Sequence, residues 1–65
     1  MNSREVIKAL QGDGWYHVST EGGHWRFNHP TKQGKTTVQH PKKDLSLFAV
    51  KSIERQSGVK LRKNG

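Results

Sequence analysis

His24 follows Gly22 and Gly23 at the head of a short run of strand-forming residues, and Arg26 stands two positions further on. Residues two apart on a strand share a face, so an imidazole and a guanidinium are expected side by side. A guanidinium holds a phosphate through two parallel hydrogen bonds, and an imidazole moves protons near neutral pH. The glycines let backbone N–H groups come close to an anion. From Gly22 to Lys43 there is no Asp or Glu, while the same window holds Arg26, Lys32, Lys35, Lys42 and Lys43 with His24, His29 and His40. The chemistry suggested is work on a phosphodiester in a positive field.

Each feature also has an ordinary reading. A histidine at a strand start is commonly a solvated residue, and Glu21-Gly22-Gly23 is a hairpin turn signal. His29 and His40 each precede a proline, where a polar strand terminus competes with phosphate or partner contact. Metal chemistry is not expected. There is no cysteine, His29 and His24 differ by an odd number and so face opposite ways, and the acids are too scattered for a two-metal centre. A histidine-led reaction favours RNA, whose 2′-hydroxyl is a nucleophile already tethered beside the phosphorus. DNA has none.

The elements that must position these residues are legible in outline. Asn2 and Glu5 form a capping-box pair ahead of Val6, Ile7 and Leu10, and Gly12-Asp13-Gly14 closes that helix. Residues 15–20, 24–29 and 35–39 read as three strands, with turns at 21–23 and 31–34. Trp25 and Phe27 belong on one strand face, and His24, Arg26 and Asn28 on the other. Pro41 interrupts the basic loop His40–Asp44. Asp44 or Ser46 then caps a second helix bearing Ala49, Val50 and Ile53, which Gly58 ends. The order α-β-β-β-α predicts an α+β fold: a three-stranded antiparallel sheet with two helices on one face. The expected core is Val6, Ile7, Leu10, Trp15, Val18, Trp25, Phe27, Val38, Phe48, Val50 and Ile53.

The chain's 65 residues predict one domain, 1–65, with a basic tail from about residue 60 that includes Arg62 and Lys63. Twelve Lys and Arg against five Asp and Glu give a formal charge of +7, which points to nucleic acid as partner. No segment has the length and apolarity of a membrane span and none has the pattern of a signal peptide, so a cytoplasmic protein without membrane contact is expected.

At this point the residues resemble a specific family. Ser3-Arg4-Glu5-Val6-Ile7-Lys8-Ala9-Leu10, Asp13-Gly14-Trp15, Gly22-x-His24-x-x-Phe27-x-His29-Pro30, Thr37-Val38, His40-Pro41-x-Lys43-Asp44, Lys51-Ser52-Ile53 and Gln56-x-Gly58 together are similar to HicA toxins. These are small RNA-cleaving partners of HicB antitoxins, and the likeness runs from residue 3 to about 61. The resemblance implies a fold like the double-stranded-RNA-binding domain. It also implies cleavage of mRNA that arrests translation and growth, and neutralisation by a HicB-type antitoxin. The family's catalytic histidine follows a Gly-Ser pair and maps onto His24. Gly23 stands where the family commonly has Ser. The stretch 45–49 lacks the Pro and Gly-Thr often found before the second helix.

The expected function is thus a metal-independent endoribonuclease toxin without cofactors. His24 is the expected general acid or base. Gly22, Gly23, Arg26, Lys35, Lys42 and Lys43 are expected to hold phosphates, with His29 and His40 as accessory residues. The competing expectations are a non-catalytic RNA-binding module on the same basic face, and an inactive relative that only binds an antitoxin. Phe48 is weighed between core packing and antitoxin contact.

Overall fold

The computed structural model describes residues 1–61; the predicted tail residues Arg62 and Lys63 lie outside them. The order is α1 (Ser3–Gly12), β1 (Tyr16–Glu21), β2 (His24–Asn28), β3 (Thr36–Gln39) and α2 (Leu47–Ser57), the α+β arrangement expected. The strands form an antiparallel sheet in the order β1-β2-β3.

Local chemistry sets the boundaries. Asn2 Oδ1 accepts the Glu5 N–H at 2.9 Å and Glu5 Oε1 accepts the Asn2 N–H at 3.1 Å, a complete capping box. Of the two expected caps for α2, Ser46 is the one used: its Oγ accepts the Ala49 N–H at 3.1 Å. Gly58 ends α2 with φ +74°, a left-handed conformation that glycine adopts without steric cost. Gly22 and Gly23, at φ +54° and +82°, turn β1 into β2. A tight hairpin turn with positive φ at both central positions matches the twist of its strands.

Val6, Ile7 and Leu10 of α1 meet Val50 and Ile53 of α2 over Trp15, Phe27 and Val38. Phe27 is fully buried and Trp25 partly so, whereas His24 and Arg26 are exposed, as alternation along β2 requires. Two expected core residues are not in the core. Val18 is 46% exposed and Phe48 is 87% exposed. Val18 falls at a β-bulge between His17 and Ser19, and both helices pack over β3, so every residue of β1 is exposed. Phe48 lies on the outer side of α2, away from the stripe of Val50, Ile53 and Ser57.

Leu45 and Leu61 fill the core instead. Leu45 precedes the cap Ser46 and Val50 is four residues beyond it, the spacing of a hydrophobic staple. That spacing was present in the sequence as a signal for Leu45.

Candidate nucleic-acid interface

Four histidines surround this sheet, and the structure gives each a different environment. His17 stacks on Trp25 at 4.2 Å between ring centres, with its Nε2 2.7 Å from Thr20 Oγ1. His29 accepts the backbone N–H groups of Thr31 and Lys32 at Nδ1, each at 3.1 Å. Its proton must therefore sit on Nε2, which donates to the Asp13 carbonyl at 2.7 Å. His40 Nδ1 is 2.7 Å from Ser3 Oγ, and its ring meets the Trp25 ring at 4.7 Å. His24 alone makes no hydrogen bond or ring contact among the described residues, and it is exposed.

His29 thus reads as a structural pin, with both ring nitrogens occupied and a side chain only 8% exposed. It ties the turn after α1 to the turn after β2, and Lys32 completes the junction. Lys32 Nζ donates to Asp13 Oδ2 at 2.6 Å and to the Ser57 carbonyl at 3.1 Å. The Asp13 carboxyl is held below its ordinary 3.8, first by this hydrogen bond from Lys32 and further by the Lys32 charge. A carboxyl with a lowered folded-state pKa contributes stability in full above its unfolded value, and that contribution is lost as pH falls through the folded one. Lys32→Met is accordingly expected to flatten the acid limb of stability below about pH 5, measured by urea midpoints at successive pH values.

On the open face, Arg26 stands beside His24 as the alternation predicted, but with a partner the acid-free window did not suggest. Glu21 lies just outside that window. The hairpin register sets it across from His24, and its Oε1 accepts from Arg26 Nη2 at 2.8 Å. The guanidinium next to His24 is therefore already engaged by a carboxylate, in an exposed pair of the kind worth about 0–1 kcal/mol. A phosphate arriving at His24 would compete with Glu21 for Arg26.

The expected lysines divide. β3 runs antiparallel to β2 with Gln39 opposite His24, so Lys42 and Lys43 leave the sheet at the histidine's end. Lys35 precedes Gln39 by four residues and lies roughly 13 Å away along the strand, at the other end. The glycine turn and the basic loop are joined directly: His40 N–H donates to the Gly23 carbonyl at 2.8 Å. His24 and His40 point to opposite sides of the sheet, since His40 contacts Trp25, which packs toward the helices. Among the described residues, no three His, Asp or Glu side chains converge as a metal site would need.

The family model for the HicA toxin of bacterial toxin–antitoxin systems matches residues 3–59. The chain belongs to the HicA toxin family. No curated protein sequence matches it. Among solved structures, it is similar to a chain of a complex described as the HicA3 and HicB3 toxin-antitoxin complex. The two are 30% identical with a TM-score of 0.76, over 95% of this chain and 100% of that one. Within the HicA pattern, Asp13-Gly14-Trp15 and His29-Pro30 are the two halves of the pinned junction, where the Trp15 and His29 rings meet edge to face at 5.1 Å. His24 remains as the histidine whose side chain has no partner among the described residues. Among the described residues, no helix is long and apolar enough to cross a membrane.

Proposed function

We propose that this HicA-family toxin is an endoribonuclease that cuts mRNA at a phosphate held beside His24, with no metal or cofactor in the reaction. The observation that carries this reading is the sorting of the histidines. Three are engaged by neighbouring side chains or backbone, while His24 is unengaged on the open face, next to a glycine turn and a guanidinium. Arg26 would hold the scissile phosphate together with backbone N–H groups of Gly22 and Gly23. Lys42 and Lys43 would hold neighbouring phosphates, and Lys35 a more distant one.

The 2′-oxygen attacks the adjacent phosphorus, the bond to the 5′-oxygen breaks, and the products are a 2′,3′-cyclic phosphate and a free 5′-hydroxyl. His24 carries the proton at the attacking or the departing oxygen, a role worth about 10²–10⁴-fold in rate. His40 acts indirectly, through the loop that carries Lys42 and Lys43, and His29 through the junction. A HicB-type antitoxin silences the toxin by covering the open face, which would compete with RNA for it.

The test is purified protein incubated with RNA in excess chelator, with the new ends identified chemically. Cleavage leaving cyclic phosphate supports the proposal. Salt-sensitive binding without any cutting would instead establish a non-catalytic RNA-binding module.

A further inference from the structure

Beyond the open face, the helix side of the same sheet end carries a basic groove. It has a volume of about 440 Å³ and lies between the first turn of α1 and the loop 40–43. Its floor is rigid. Ser3, only 2% exposed, donates its N–H to the Lys42 carbonyl and accepts the Lys42 N–H at Oγ, both at 2.9 Å. The same hydroxyl fixes His40 through Nδ1, so the ring's Nε2 is left without a partner among the described residues.

Arg4, Lys42 and Lys43 line the groove, and none of them meets a carboxylate among the described residues. The acids that adjoin these cations in the sequence are engaged elsewhere. Glu5 caps Asn2, and Asp44 pairs with the N-terminal ammonium at 3.2 Å. Three unpaired cations around one cavity with no acid in its lining form an anion site of several charges.

We infer that this groove is a second phosphate site, taking the backbone of single-stranded RNA next to the bond cleaved at His24; this rests on the ribonuclease reading. The groove adjoins that site, because His40 at its edge is hydrogen-bonded to Gly23, the residue before His24. The two sites nevertheless face opposite sides of the sheet. A strand filling both must turn round the sheet end, which a flexible single strand does and a stiff A-form duplex, recognised as a fixed shape, does not. The His40 ring, which lines the groove beside the cations, also suits a nucleobase. An acidic segment of a protein would meet the same charges but has no reason to be continuous with His24.

Arg4→Gln tests the inference, since residue 4 is an exposed helix position where both residues are good helix formers. On single-stranded RNA of about ten nucleotides, kcat/KM is expected to fall about fivefold, mostly through KM, and the salt slope of binding to drop by about 0.7. Dinucleoside monophosphates are too short to span both sites, so their loss should be at least about threefold smaller. The same sequence in a duplex should be a poor substrate. Equal losses on short and long substrates, or none on either, would overturn the site. So would intact RNA kinetics combined with weakened antitoxin binding. Should the unaltered protein cut no RNA, the ribonuclease reading fails by itself. Fluorescence anisotropy with single-stranded RNA then decides the groove: lost affinity in Arg4→Gln upholds it, and unchanged affinity rejects it.

Discussion

Replacing His24 by alanine is expected to reduce RNA cleavage by about 10²–10⁴-fold while the protein stays folded and still binds RNA. The size of the loss follows from the absence of a substitute. The other three imidazoles are engaged by Thr20, by Asp13 with the turn after β2, and by Ser3. His40, whose Nε2 has no partner among the described residues, faces the helix side, so none takes over proton transfer on the open face. The retained fold follows from the exposure of His24 and its lack of hydrogen-bonding partners among the described residues. Surface changes of that kind alter stability by no more than about 0.5 kcal/mol. RNA binding is expected to persist because the cations remain. Thermal melts, anisotropy with RNA and single-turnover cleavage on one preparation separate these statements. In cells, induced expression should arrest growth with the parent chain and not with His24→Ala. Full cleavage by the variant would remove His24 from the mechanism.

Gly14→Ala should have the largest effect on stability. Gly14 has φ +106°, a conformation L residues rarely adopt, and a Cβ there would lie 2.8 Å from His29 Nε2. That nitrogen cannot move freely, because it donates to the Asp13 carbonyl while Nδ1 accepts two backbone N–H groups. The variant therefore combines backbone strain with disruption of the hydrogen bonds at His29, together about 3 kcal/mol. In a domain this small each kcal/mol moves the melting temperature by about 4–8 °C, so a fall of about 15 °C is expected. Most of the folded population at 37 °C would be at risk. A double-mutant cycle isolates the cause. In a His29→Ala background the clash is absent and only the strain remains, so Gly14→Ala should then cost about 1–2 kcal/mol less. Strict additivity would show that His29 and Gly14 do not act as a unit.

The Gly14–His29 contact illustrates what a sequence reading lacks. Asp13-Gly14-Trp15 and His29-Pro30 were visible as blocks, and His29 as a histidine before a proline, but its two nitrogens could not be assigned without the turns that occupy them. Phosphate contact and structural pinning use the same residue types. Only the positions of Thr31, Lys32 and Asp13 distinguish them. Lys32 is similar, because a lysine in a positive window looks available for phosphate until Asp13 and the end of α2 are folded against it. Val18 was misplaced for a different reason. Its apolar type and strand position were read correctly, but burial depends on whether a helix covers the strand, and β1 lies at the uncovered edge with a bulge.

Local chemistry settled much of this protein in advance. Periodicity, caps and glycine-bearing turns depend on residues within a few positions of one another, so the five elements, the sharing of a face by His24 and Arg26, and the ends of both helices could be read directly. Charge clustering likewise needs no fold to be counted. The tertiary structure decided which of those charges act together. Pairing of β1 with β2 brought Glu21 to Arg26 from outside the acid-free window, and antiparallel β3 sent Lys35 to one end and Lys42 and Lys43 to the other. Docking of α1 on the loop after β3 set Arg4 beside them across a groove, although dozens of residues separate them in the chain. Such groupings arise from strand register and helix docking between distant segments, and no spacing along the sequence encodes them.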